Sequence, residues 1–290
     1  ATVLRASGGV YDVELEDGTV AEASLRGRLK LERRTGDRVV PGDIVDVVRH
    51  GDGSLTIESV AERRSELARR APGHGRKARI IVANIDRMII VFAAAEPEPR
   101  RRLLDRFLVI AEANHLEPVI VINKTDLVDD DVVASFLAPY EAAGYATLRT
   151  SVQRGEGVAA LHDCLRGARS VVTGPSGVGK SSLLNAVEPG LGLRVGEVSR
   201  AVHKGQHTTV TAQLIPLDCG GYVADTPGLR ELGLWNIAPD ELADCFPEFR
   251  ELVDDCRFTG SCSHVHEPGC AVRAAVSDGS IDADRYESYC

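Results

Sequence analysis

Over the first sixty residues apolar and polar positions alternate with a period of two. Val10-Tyr11-Asp12-Val13-Glu14-Leu15 reads as a strand, Glu16-Asp17-Gly18-Thr19 as a turn with the Asp-Gly hairpin signal, and alternation resumes between Val20 and Leu31. Pro41-Gly42-Asp43 is a second turn before Ile44-Val45-Asp46-Val47-Val48, and Gly51-Asp52-Gly53 leads into Ser54-Leu55-Thr56-Ile57. Four or five short strands with tight turns fit a small barrel, and the OB-fold is the nucleic-acid-binding version expected here. Stacking aromatics are missing, since Tyr11 is the segment's one aromatic residue.

Further along, the pattern becomes α/β. Met88-Ile89-Ile90-Val91-Phe92 is a continuous apolar run of the kind buried on both faces, and Leu103, Leu104, Phe107, Leu108 and Ala111 share helical spacing between Arg101 and Ala113. Val119-Ile120-Val121-Ile122 is the next strand, followed by a helix at 131–143, a strand at 146–151, a helix at 158–165 and a strand at Ser170-Val171-Val172-Thr173. This alternation predicts a doubly wound, mainly parallel sheet with ligands at the C-terminal ends of its strands. Residues 194–211 are polar and aperiodic, as a long functional loop would be. A hairpin at 211–217 and 221–224 follows, and from Pro239 the chain reads as helical and acidic. Three domains are expected, at 1–66, 67–238 and 239–290.

Gly174-Pro175-Ser176-Gly177-Val178-Gly179-Lys180-Ser181 lies between a strand and a helix that continues with Ser182, the setting of a phosphate-binding P-loop. Its glycines let successive N–H groups turn onto a polyphosphate, and the helix N-terminus adds its dipole. Lys180 is placed for the β- and γ-phosphates and the Ser181 hydroxyl for Mg²⁺. Asn123-Lys124-Thr125-Asp126 suits guanine. The Asp126 carboxylate accepts from the ring N1–H and the exocyclic amine together, a pair adenine does not present, while the Asn123 amide bonds the other edge of the base and the Lys124 stem lies over the ring. Ser151-Val152-Gln153-Arg154-Gly155 is a candidate loop behind the base. Asp225-Thr226-Pro227-Gly228 offers a carboxylate for Mg²⁺ and the Gly228 N–H for the γ-phosphate. Gly205-Gln206-His207-Thr208-Thr209 supplies Thr208 or Thr209 as a second hydroxyl ligand of Mg²⁺. The order is unusual: most GTPases carry the P-loop first and the guanine motif last, whereas here the guanine motif comes first, as in a circularly permuted GTPase.

Charge and cysteine usage sharpen this picture. The formal charge is −9, and the 13 acidic against 4 basic residues from Glu231 to Cys290 account for all of it. Within the neutral remainder, Arg63, Arg64, Arg69, Arg70, Arg76, Lys77 and Arg79 form a basic run that reads as a solvated linker, with phosphate-backbone contact as the sharper alternative. No run of about 20 uncharged apolar residues occurs, and the first residues show neither the charged nor the apolar region of a secretion signal. A cytoplasmic protein without a membrane segment is expected. Of seven cysteines, three belong to Cys256-x5-Cys262-x-His264-x5-Cys270, a Cys₃His complement for tetrahedral Zn²⁺ in a closed structural site, with His266 competing for the nitrogen position. Cys164, Cys219, Cys245 and Cys290 lie outside this cluster.

With these motifs the chain resembles, over nearly its whole length, the ribosome small-subunit-dependent GTPases of the RsgA (YjeQ) family. The most specific marks are the permuted order, the Gly205–Thr209 stretch and Cys262-Ser263-His264-Val265-His266-Glu267-Pro268-Gly269-Cys270. The resemblance implies an OB-fold, a permuted GTPase domain and a helical zinc-binding domain. It also implies hydrolysis of GTP to GDP and phosphate, stimulated by the small ribosomal subunit during its late maturation, with rRNA and ribosomal proteins as contacts and a monomer as the working unit. Thr209 would face Mg²⁺, and His207 would assist hydrolysis beside Lys180. Two departures from the family pattern are the five residues between the first two zinc cysteines, where four are usual, and Gln206 in place of a frequent basic residue. Leu229 stands where Ras-like proteins carry a water-orienting glutamine, so intrinsic turnover is expected on the order of 10⁻³ s⁻¹ or below. Two other readings remain: a GTP-controlled RNA-binding checkpoint in which hydrolysis only resets the switch, and a metallochaperone GTPase.

Overall fold

The computed structural model describes residues 1–27, 38–70, 78–193, 212–225, 237 and 241–290. Near the N-terminus, β1 (Thr2–Ser7), β2 (Val10–Glu14), β3 (Val20–Leu25), β4 (Val45–Arg49) and β5 (Leu55–Val60) lie in the order β1-β2-β3-β5-β4. A bridge between Thr2 and Ile44 returns the β4 end to β1 and closes the five strands into a barrel. Its interior holds Val3, Val13, Ala23, Val45, Leu55 and Ile57, while on the other face of β1 Leu4 is buried in the central core.

The basic run is not a solvated linker in its described part. β6 (Glu66–Arg70) and β7 (Ala78–Ala83) pair as an antiparallel ribbon, with Leu67 and Val82 buried in the central core. The Arg63 side chain is only 8% exposed, its Nε 2.7 Å and Nη2 3.0 Å from the two oxygens of fully buried Asp43. A buried carboxylate needs such a partner, and that need holds Arg63 out of solvent. Residues 71–77, with Arg76 and Lys77, and the side chains of Arg69, Arg70 and Arg79 lie outside the described residues.

The central sheet runs β10 (Ala146–Arg149), β9 (Glu117–Asn123), β8 (Arg87–Ala93), β11 (Arg169–Thr173) and β13 (Tyr222–Asp225), all parallel, with β12 (Gln213–Pro216) antiparallel beside β13. Successive residues of β8 and β9 feed opposite faces. Ile90, Phe92, Ile120 and Ile122 pack with Leu104, Leu108, Leu137 and Tyr140 of α1 (Arg101–Ala113) and α2 (Asp130–Ala142). Ile89, Val91, Val119 and Val121 pack with Leu161, Leu165, Leu183 and Leu184 of α3 (Val158–Leu165) and α4 (Lys180–Val187). Helices on both faces explain why these strands read as unbroken apolar runs.

The C-terminal part, with α5 (Pro247–Arg250), α6 (Ala271–Asp278) and α7 (Ala283–Tyr289), packs Phe246, Phe249, Val272 and Ile281 against Val109 of α1. Arg285 locks this docking. It is 2% exposed, its Nη1 lies 2.6 Å from Asp105 Oδ1 on α1, and its Nε lies 2.7 Å from Glu248 Oε1. Its guanidinium also lies 4.7, 5.5 and 5.6 Å from the ring centres of Phe246, Tyr140 and Tyr145. Among the described residues no helix is long and apolar enough to cross a membrane.

Candidate nucleotide and metal sites

β11 ends at Thr173 and α4 begins at Lys180, so the predicted P-loop is the turn at the C-terminal end of a central strand. Two of its glycines are required by close approach. At Gly174 (φ +133°) a Cβ would lie 2.0 Å from the Val91 carbonyl oxygen of β8, and at Gly179 (φ +93°) 2.4 Å from Asn123 Nδ2. Lys180 is buried, its Nζ donating to the carbonyls of Gly174 at 2.8 Å and Pro175 at 2.6 Å, which holds the ammonium at the loop it would share with phosphates. Ser181 is buried in the first turn of α4, an eight-residue helix whose N-terminus and dipole face the loop.

Asn123 closes β9 and is 2% exposed. Its Nδ2 donates to the Val178 carbonyl at 2.8 Å, and its Oδ1 accepts from Thr150 Oγ1 at 3.2 Å. The amide expected at the edge of a base is thus engaged with the backbone of the P-loop and straps the two motifs together across 55 positions of sequence. Lys124 follows in the left-handed region (φ +61°) and its Nζ donates to the Glu96 carbonyl. Thr125 bonds through both its N–H and its hydroxyl to the Thr150 carbonyl at 3.2 Å. Ser151 Oγ donates to Asp126 Oδ1 at 2.5 Å and accepts from the Arg154 amide at 3.1 Å, so the loop expected behind the base fixes the carboxylate expected to read guanine.

Thr150 and the Glu96–Pro97 segment, whose Pro97 ring would lie 3.7 Å from a Cβ on Gly177, were not visible as site residues in the sequence. A single threonine before Ser151 and an acidic, proline-containing loop carry no spacing signal. The backbone of β13 brings Asp225 alongside the P-loop strand, with Ala224 in register with Val171. The Asp225 side chain, Gly228, Leu229 and the whole 194–211 loop with His207, Thr208 and Thr209 lie outside the described residues.

The second constellation is the cysteine cluster. One ligand atom from each of Cys256, Cys262, His264 and Cys270 falls within 4.8 Å of every other. Cys256 Sγ and Cys270 Sγ are 3.8 Å apart, and His264 Nδ1 is 3.5 Å from each. Tetrahedral Zn²⁺ with Zn–S of about 2.3 Å and Zn–N of about 2.0–2.1 Å would have edges of about 3.8 Å for S···S and about 3.5 Å for S···N, so the donor set fits one zinc ion. Cys256, His264 and Cys270 are buried, whereas the competitor His266 is exposed. Glu267 braces the ligand loop. Its carboxylate accepts from the Ser263 hydroxyl at 2.7 Å and from the amides of Ser263, Val265 and His266, and these bonds, the Ser263 hydroxyl first, push its pKa down to about 2.

A P-loop and a guanine motif that meet in space on a doubly wound sheet, with the guanine motif earlier in the chain, define a circularly permuted GTPase. Comparison with known proteins narrows the class. The family model described as RsgA GTPase matches residues 60–235. A protein of Gemmatimonas aurantiaca named Small ribosomal subunit biogenesis GTPase RsgA is 53% identical over 289 residues, covering 99% of this chain and 94% of that protein. One of the same name from Moorella thermoacetica is 46% identical over 288 residues, again covering 99% and 94%. Among solved structures, YjeQ from Thermotoga maritima superposes with a TM-score of 0.83 at 39% identity, covering 99% of this chain and 94% of that one. YloQ, described as a circularly permuted GTPase, superposes with a TM-score of 0.79 at 33% identity, covering 99% and 91%. The chain belongs to the RsgA GTPase family. Its members are hydrolases whose ligands are GTP, GDP and Mg²⁺.

Proposed function

We propose that this chain hydrolyses GTP as a switch in the late maturation of the small ribosomal subunit, and that the subunit with its rRNA stimulates turnover. The observation that carries this reading is the 2.8 Å bond from Asn123 to Val178, which makes one site of two motifs in permuted order; the names of the relatives supply the ribosomal context. The nucleotide lies between the guanine motif, with Asp126 set by Ser151, and the P-loop with Lys180. Ser181, Thr209 and Asp225 would hold Mg²⁺, which when bound would neutralise charge that develops on the phosphates. Lys180 adds a fixed positive charge. His207 orients water when the subunit is bound, because Leu229 offers no polar group for that task.

Cys256, Cys262, His264 and Cys270 hold one structural Zn²⁺. Burial of three of the four ligands supports this over a cargo site, from which metal must leave readily. The N-terminal barrel is an OB-fold that faces rRNA, the domains divide at 1–66, 67–238 and 239–290, and the protein works as a cytoplasmic monomer. Binding to purified small subunits in the presence of GDP and of a non-hydrolysable GTP analogue tests the switch. Tighter binding with the analogue is expected, and equal affinities contradict it, since a ligand shifts an equilibrium only through its differential affinity.

A further inference from the structure

The barrel meets the nucleotide-sensing edge of the central sheet at a thin joint. Among the described residues β1 is bonded to β12 through one pair, Arg5 with Gln213, whereas β8 and β9 pair along their whole lengths. Gln213 in turn pairs across the hairpin with Asp225, the last residue of β13. Arg5, Gln213 and Asp225 therefore form one line across three strands, from the barrel to the residue where the Asp225–Gly228 element begins. At the opposite end of β13 from this line, Tyr222, the first residue of the strand, donates its hydroxyl to Glu14 Oε2 of β2 at 2.5 Å. Leu4 of β1 is buried in the same cluster as Leu214 of β12 and Ala224 of β13.

The neighbouring P-loop strand is tied to the barrel separately. Arg169, at the start of β11, donates to Thr2 Oγ1 at 3.1 Å and to the Gly42 carbonyl at 3.4 Å. Its guanidinium lies 5.6 Å from the centre of the Tyr222 ring. The barrel is thus tied to the strand that leads into the P-loop and, separately, clasped to the strand that leads into the γ-phosphate sensor.

The geometry points to reciprocal coupling between the barrel and β13, carried by the Arg5–Gln213–Asp225 line and clasped by the Glu14–Tyr222 hydrogen bond. The coupling rests on the GTPase-switch reading above. One backbone pair and one side-chain bond open and close without unravelling either sheet, while the full ladders on both sides move as blocks. A γ-phosphate contact that displaces Asp225 therefore loosens or tightens β1 and β2, and a partner seated on the barrel biases β13 by the same factor. Tyr222 and Glu14 act as positioning residues, through the strand that bears Asp225.

Hydrogen exchange of the full chain, saturated with GDP or with a non-hydrolysable GTP analogue, tests this. In the unaltered protein the amides of β1 and β12 should exchange at rates that differ between the two nucleotides by at least about fivefold. Tyr222→Phe, which removes one hydroxyl, should cut the difference to less than about twofold while both nucleotides still bind. Glu14→Ala should do the same, and the double variant should add nothing, as for two ends of one bond. Equal exchange of β1 in the two nucleotide states, an undiminished difference in Tyr222→Phe, or additive effects of the two substitutions overturns the clasp. Subunit-stimulated GTP turnover on the same samples is a separate readout. Its absence in the unaltered protein contradicts the proposed function, whereas stimulation present together with equal β1 exchange in the two nucleotide states overturns the clasp and leaves the proposed function standing.

Discussion

Asn123→Ala should weaken nucleotide binding far more than its place in a guanine-reading motif would suggest, because its amide holds the P-loop. The side chain bonds Val178 O at 2.8 Å and Thr150 Oγ1 at 3.2 Å and is 2% exposed. Alanine leaves the Val178 carbonyl without this partner in a place that water reaches poorly, and leaves the Thr150 hydroxyl its longer bond to the Ile122 carbonyl at 3.4 Å. A buried unsatisfied polar group costs about 1–3 kcal/mol, so the carbonyl together with the weakened hydroxyl gives about 2–3 kcal/mol against the closed loop. If nucleotide binds only that closed loop, the apparent Kd rises by the same free energy, about 30- to 140-fold at roughly 1.4 kcal/mol per decade. Titration with a fluorescent GDP analogue reads this directly, and a thermal scan shows whether the variant is folded. Thr150→Val removes one of the two bonds and should cost about three- to tenfold. A folded Asn123→Ala protein with unaltered GDP affinity would refute the strap.

Asp126→Asn should lose GTP affinity and gain binding of xanthosine nucleotides, because the amide donates where the carboxylate accepts; unchanged GTP affinity contradicts guanine reading by this residue. Arg285→Ala leaves buried Asp105 and its neighbour Glu248 without their cation, which should destabilise the docked C-terminal part by about 3–5 kcal/mol in chemical denaturation, and Arg285→Lys should not restore the bidentate and stacked contacts. His264→Ala should bind less than one equivalent of zinc by metal analysis while His266→Ala keeps it, and chelation strong enough to strip the metal should unfold 241–290.

Where the sequence was legible, local chemistry and tertiary structure agreed. The Arg101–Ala113 helix and the Val158–Leu165 helix begin and end where apolar spacing placed them. The P-loop and guanine motif stand at strand ends because their neighbours are uniformly apolar. β1 was not read from the sequence. Val3 faces the barrel interior and Leu4 the central core, so both faces of the strand are buried there and the apolar–polar alternation is lost. The β6–β7 ribbon was missed because the Arg63–Arg79 run was read by its charge, although Ile80, Ile81 and Val82 of β7 are apolar, and the buried partner of Arg63 is Asp43, twenty positions upstream. Neither the Asn123–Val178 strap nor the Arg285–Asp105 pair has any local signature. Both are long-range contacts of common polar residues, whose roles exist only once the sheet has brought them together.

GTP turnover by the full chain, with and without purified small ribosomal subunits over a salt series, bears most directly on the function proposed. The protein alone should turn over on the order of 10⁻³ s⁻¹ or more slowly, and subunits should raise this by at least about tenfold. The stimulation should fade as salt weakens contacts to rRNA phosphates. Turnover that is indifferent to subunits at every salt concentration, or already fast without them, would contradict a subunit-gated GTPase.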